Sequence, residues 1–162
     1  MHRLRRLISA ITFVGVVFHE FGHKLFCDIT GVKVYRVCYF RIGNPAGYVI
    51  HDRPRNFTQS FLIVAGPFIT GTFLALLFFY IAENQVAEMW GALFFNWLGV
   101  SAAINSFPSD TDGKNLWKFT NRLVLRNPLV AVGYLFALFI WLANSLIVIW
   151  FDLIYALLLY QF

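Results

Sequence analysis

Three residues that could carry out metal-dependent hydrolysis lie within five positions of one another: His19, Glu20 and His23, in the run His-Glu-Phe-Gly-His. On a helix, side chains at i and i+4 share a face, so both imidazoles can reach one metal ion about 2 Å away. Glu20 lies one position round and can reach a metal-bound water instead of the metal. This spacing predicts a zinc (Zn2+) site with Glu20 as the catalytic base. The structural alternative is a hydrogen-bonded cluster of neutral histidines and a carboxyl group inside a helix bundle.

The surroundings of this motif are apolar over residues 7–27, which is long enough for a helix to cross a bilayer. The whole chain of 162 residues is 59% hydrophobic and only 13% charged, whereas ordinary globular chains carry about a quarter charged residues. This composition predicts an integral membrane protein in contact with the lipid bilayer, organised as a single domain over residues 1–162. The net charge of +5 does not indicate nucleic-acid binding, because the basic residues are spread through polar loops.

Further apolar segments at 60–82, 87–107 and 129–160 predict an all-α polytopic protein with about four transmembrane helices. Pro67 is expected near the start of its helix, where a missing N–H is tolerated. Gly99, Ser101, Ala102 and Ala103 are small enough to permit close helix contact. The last segment would be about 50 Å long as one helix. It therefore has to tilt, break or project.

Residues 31–51 predict a small β-hairpin after the first helix, because β-branched and aromatic residues flank a turn cluster at 43–47. The alternation from Val32 and Val34 to Phe40 and Ile42 places apolar side chains on one face of the hairpin. We expect that face to rest on the membrane domain. Its edge could pair with an extended substrate segment by strand addition.

A hydrolytic zinc site commonly has three protein ligands and a water, so two histidines leave one ligand missing. The polar patch at 105–114 follows the third apolar segment and contains Asp110 and Asp112. Alone it would indicate only a turn. Two membrane crossings separate it from the end of the first segment, which places it on the same side as His23. Asp112 is the predicted third ligand, Asp110 is its rival, and Cys27, one helical turn beyond His23, is a further alternative.

Charge distribution predicts which side of the membrane this end faces. Most of the 13 Lys and Arg residues lie in the two loops beside the predicted ligands, which favours the cytoplasmic side for the active site of a multi-pass cell-membrane protein. Three N-terminal arginines favour the opposite orientation: Arg3, Arg5 and Arg6.

Taken together, these motifs resemble the site-two protease family of intramembrane zinc metalloproteases, whose members act in regulated intramembrane proteolysis. The resemblance rests on three elements in the family's order: the run 19–23, Ala65-Gly66-Pro67, and Asn105-x-x-Pro108 followed by Asp112-Gly113. It implies a core of three transmembrane helices, a membrane-associated β element, and cleavage of transmembrane protein or peptide substrates.

The same resemblance implies roles for individual residues. His19, His23 and Asp112 would hold zinc, and Glu20 would activate the water. Thr70 and Asn105 fall at substrate-binding positions; Thr70 replaces the family's usual asparagine. Thr111 replaces an apolar residue, and the interval from Asn105 to the Asp-Gly pair is one residue short, which keeps Asp110 as a rival ligand.

Two other classes of function fit parts of this pattern. One is a catalytically inactive metal-binding membrane scaffold, which the exchanges at Thr70 and Thr111 allow and an intact Glu20 disfavours. The other is a metal transporter, which usually shows paired repeats or interrupted helices that are not evident in this sequence.

Overall fold

The computed structural model describes residues 8 and 10–162, and these are mostly helical. The described part contains six α-helices: α1 (Val14–Ile29), α2 (Phe57–Asn84), α3 (Met89–Ile104), α4 (Asp110–Leu123), α5 (Val132–Leu146) and α6 (Phe151–Leu159). Two strands, β1 (Val34–Cys38) and β2 (Tyr48–His51), lie between α1 and α2. The predicted all-α fold with a small β-hairpin after the first helix is therefore confirmed.

The hairpin is antiparallel, with Val34 opposite His51 and Cys38 opposite Tyr48. Its predicted apolar face holds at the base, where Val32 is buried against the helices, but fails towards the turn. Phe40 is exposed and Ile42 is 99% exposed. The predicted apolar face is therefore covered only at the base of the hairpin.

Two helical stretches are long and apolar enough to span a membrane, Phe57–Asn84 and Pro128–Ile149. The helix observed in the predicted segment 87–107 is shorter than that segment: α3 begins at Met89 and ends at Ile104, and Asn105 is its C-cap. Within the predicted apolar segment 7–27, a turn at Thr12 and Phe13 precedes α1, which continues to Ile29; residues 7 and 9 lie outside the described residues. At 16 residues α1 is about 24 Å long.

The last apolar run breaks, as one of the three expected outcomes. A 3₁₀ turn at Ile147–Ile149 ends the α5 segment, and Trp150 adopts a left-handed φ of 65° before α6 begins. A residue in the left-handed region cannot continue a right-handed α-helix, so the helical path breaks between α5 and α6. α6 packs instead against α3, with Ala156 in the same cluster as Ala102 and Ala103.

The predicted position of Pro67 near a helix start is wrong. α2 begins at Phe57, where the Asn56 side chain accepts a hydrogen bond from the Gln59 amide, so Pro67 lies well inside the helix. An interior proline removes one hydrogen bond of the helical ladder. Pro67, where this hydrogen bond is missing, is fully buried, because α2 packs along both α1 and α3.

Candidate metal centre

His19, His23 and Asp112 come together in the folded chain. One potential ligand atom from each lies within 4.8 Å of the others, a group that could hold a metal ion. His23 Nε2 lies 3.5 Å from Asp112 Oδ2, and the two imidazole rings have centroids 4.9 Å apart. α1 supplies both histidines from one face, and α4 supplies the carboxylate from its first turn. The structure thus brings together the three residues that the sequence suggested as ligands.

Each histidine is oriented by a main-chain carbonyl. His19 Nδ1 lies 2.9 Å from the carbonyl oxygen of Asn105, and His23 Nδ1 lies 2.9 Å from that of Ile63. A carbonyl oxygen can only accept, so in each ring Nδ1 carries the hydrogen and donates it. In the neutral ring Nε2 then keeps a lone pair, which is the state a metal ligand requires.

Asp112 is fixed by the start of α4. It forms a capping box with Ser109: the Ser109 amide and hydroxyl donate to Asp112 Oδ2 at 2.8 and 2.6 Å, and the Asp112 amide donates back to Ser109 Oγ. Burial raises the pKa of Asp112, but the nearby His23 and His19 rings and the hydrogen bonds from Ser109 outweigh burial and hold that pKa below its usual range. The carboxylate is therefore ionised at neutral pH and suited to a cation.

Glu20 lies beside this group without belonging to it. Its side chain is buried, at 8% exposure, and lines the same cavity as the three candidate ligands. The hairpin approaches it closely: a Cβ added to Gly47 would lie 2.6 Å from Glu20 Cγ. Glycine at position 47 thus lets the chain pass directly over the carboxylate.

The cavity that contains these residues has a volume of about 540 Å³. One wall is the hairpin, with Pro45 to Val49, and another is the helical bundle, with Asn105 and Phe107. The site is accordingly a cleft between the hairpin and the helices.

The other predicted residues occupy different places. Asp110 is exposed and lies outside the ligand group, and Cys27 is fully buried against Val32 and Ile63, also outside it. Thr70 is not among the described residues that line the cavity: its hydroxyl donates to the Gly66 carbonyl at the crossing of α1 and α2.

Asn105 does line the cavity, but its hydrogen bonds join it to neighbouring parts of the chain. Its carbonyl accepts from His19, and its side-chain amide donates to the carbonyls of Ser101 and Thr12. The residue therefore ties the end of α3 to the helix that carries both histidines.

Three residues near the site were not anticipated from the sequence. Ile63 contributes its carbonyl to His23, Asn144 donates to the Pro108 carbonyl at 2.9 Å, and Asp152 lines the cavity while only 7% exposed. A signal existed for two of them, because Asn144 and Asp152 interrupt an otherwise apolar run, and polar residues there usually have a specific role. Ile63 acts through its backbone, so its side chain gave no signal.

Comparison of the chain with models of protein families, with curated proteins and with solved structures found no match.

Proposed function

We propose that this protein is an intramembrane zinc metalloprotease, which hydrolyses peptide bonds of transmembrane protein or peptide substrates. The observation that carries the proposal is the convergence of His19, His23 and Asp112 in one cavity with Glu20. Two imidazoles and a carboxylate are a donor set found in hydrolytic zinc sites, and in both rings Nδ1 is held by a main-chain carbonyl, which leaves Nε2 to bind the metal. The residues present therefore fit zinc.

Placement in the membrane is the second part of the proposal. Phe57–Asn84 and Pro128–Ile149 would span the bilayer, and α1 and α3, which pack along α2, would share the same membrane domain. α4 is polar and would lie at the surface beside the metal site. The basic residues of α4 and of the hairpin support a cytoplasmic position for this end of a multi-pass protein.

In the proposed hydrolysis each residue of the site has a separate role. His19, His23 and Asp112 would hold a zinc ion, which when bound would supply Lewis-acid chemistry towards a water molecule and a peptide carbonyl. Glu20 accepts the proton of the attacking water and delivers it to the leaving amine. Asn105 and Ile63 keep the two imidazoles oriented through their carbonyls. The cleft under the hairpin would receive the substrate segment once it is extended.

The decisive test of the enzymatic role is Glu20→Gln. We expect this variant to lose cleavage of a helical transmembrane peptide by about 10²- to 10⁴-fold, the usual cost of losing a general base. Its zinc content should equal that of the wild type, because Glu20 is outside the ligand group. Turnover close to wild type in the purified variant would contradict the protease assignment.

The ligand set is tested by metal analysis of three single variants. Asp112→Ala should lose zinc, whereas Asp110→Ala and Cys27→Ala should retain it, because only the first of these side chains lies with the histidines. Zinc retained in Asp112→Ala and lost in one of the other two would move the third ligand to that residue.

The same preparations separate the two alternatives. A metal-binding scaffold would retain zinc in the wild type and cleave no transmembrane peptide from a diverse library. A transporter would show zinc flux into proteoliposomes that Glu20→Gln or Asp112→Ala alters. The buried Glu20 beside a ligand group favours hydrolysis over both.

A further inference from the structure

Pro67 lies where α2 passes closest to the histidine-bearing helix. It is fully buried, and a Cβ added to Gly22 of α1 would lie 2.8 Å from the Pro67 nitrogen and Cα. In an α-helix the N–H of residue i donates to the carbonyl of residue i−4. Proline has no N–H, so Pro67 cannot donate to the carbonyl four residues earlier, which belongs to Ile63.

The Ile63 carbonyl is the group that binds His23. Its oxygen lies 2.9 Å from His23 Nδ1, a hydrogen bond that is fully buried. An interior carbonyl without a partner is costly in a helix bundle, and more so in a membrane, where a neighbouring helix must supply the missing donor. The imidazole of His23 supplies it.

His19 also donates to a carbonyl that lacks a helical donor, but that carbonyl lies at the end of a helix. His19 Nδ1 donates to the carbonyl of Asn105, the C-cap of α3. Carbonyls at a helix C-terminus lack intrahelical donors, so this acceptor is free because the helix ends there. Ile63 lies in the interior of α2, where its carbonyl loses the usual ladder donor because Pro67, four positions later, has no N–H.

We propose that Pro67 is a positioning residue for the metal site: it frees the Ile63 carbonyl, which binds the Nδ1 hydrogen of His23 and directs Nε2 towards the ligand group. This inference rests on the proposed function, since it assigns a role towards the zinc ion. The competing explanation is that Pro67 serves only the close packing of α2 on Gly22.

Pro67→Ala separates the two explanations because it returns the N–H while removing only part of the ring. The restored ladder bond draws the Ile63 carbonyl back along the axis of α2 and weakens its bond to His23. Loss of such an outer partner typically lowers metal affinity, and we expect a zinc dissociation constant about 10- to 100-fold higher. The thermal midpoint of the metal-free protein should not fall, because alanine is a far better helix former than proline.

A matched control removes the ring without returning the N–H. Lactic acid at position 67, introduced as a backbone ester, has the side chain of alanine and no amide hydrogen. It should keep a zinc affinity close to that of the wild type. If Pro67 acts only through its ring, the ester and Pro67→Ala will lose zinc equally, and that result overturns the proposal.

Nitrogen NMR of ¹⁵N-labelled histidine in the metal-free protein gives a readout independent of zinc and of cleavage. In the wild type and in the ester, the ring of His23 should carry its hydrogen on Nδ1; in Pro67→Ala a mixture of tautomers should appear. An unchanged tautomer together with unchanged zinc affinity in Pro67→Ala overturns the inference. Failure of the wild type to bind zinc would refute the proposed function and leave the tautomer comparison as the test of this one.

Discussion

Replacing Gly22 by alanine should force α1 away from α2 at the point that holds His23. A Cβ at position 22 would lie 2.8 Å from the Cα and nitrogen of Pro67 and 2.4 Å from the hydroxyl of Thr70. Non-bonded carbon atoms make their best contact at about 3.5 to 4.0 Å, so the two helices have to separate locally by about 1 Å. The obstructing atoms of Pro67 belong to the backbone, so a side-chain rotation cannot relieve the contact.

The separation acts directly on the site, because His23 follows Gly22 and binds a carbonyl of the opposite helix. A bond of 2.9 Å between His23 Nδ1 and the Ile63 oxygen would become too long to count as a hydrogen bond after a shift of about 1 Å. We expect the zinc dissociation constant to rise by about 10- to 100-fold. Overpacking should also lower the free energy of unfolding by about 1 to 3 kcal/mol.

The assay is competition for zinc between the purified protein and a chelator of known affinity. Gly91→Ala is the matched control, because its Cβ would meet a methyl group of Val86, a side chain outside the α1–α2 crossing. The double variant with Thr70→Ala should recover affinity only in part, since it removes the hydroxyl contact and leaves the backbone of Pro67 in place. Wild-type zinc affinity in Gly22→Ala would refute the idea that this crossing orients His23.

Two further predictions concern the cleft and the membrane. Gly47→Ala should reduce cleavage and leave the zinc content unchanged, because the new Cβ would lie 2.6 Å from Glu20 Cγ and no ligand atom is displaced; parallel measurement of both quantities checks this. For the orientation, single cysteines at Glu83 and Lys118 in a cysteine-free background would be treated in intact cells with an impermeant thiol reagent. Position 83 alone should react, and the opposite pattern would place the active site on the outer face.

Local spacing in the sequence was enough to predict much of the candidate site. The i, i+4 relation between His19 and His23 is a property of any α-helix, so their common face needed no tertiary information. Asp112 required one further step, the count of apolar segments that places the patch at 105–114 on the same side as His23. The structure brings this residue to the histidines and leaves Asp110 exposed. The hairpin was likewise evident from its turn cluster and β-branched residues.

Two features were not predicted from the sequence, the position of the break before α6 and the interior position of Pro67. In both, a neighbouring helix compensates for a locally unfavourable feature. The break before α6 occurs at Trp150, where no glycine or proline marks it, and packing of α6 against α3 accompanies it. The interior position of Pro67 was missed because the donor that replaces its absent N–H comes from α1, a helix more than forty residues earlier in the chain.

The candidate metal site therefore depends on backbone groups that residue types determine only indirectly. Both histidines donate to carbonyls, so substitution of the side chain at Ile63 would leave the acceptor in place, whereas substitution at Pro67 would change the ladder that controls it. Asn105 has two roles: its main-chain carbonyl, which accepts from His19, would persist in any variant, and its side-chain amide would be lost on substitution. The orientation of His23 is therefore encoded at Pro67, four positions after the carbonyl that His23 binds, and the orientation of His19 is encoded by the end of α3 at Asn105.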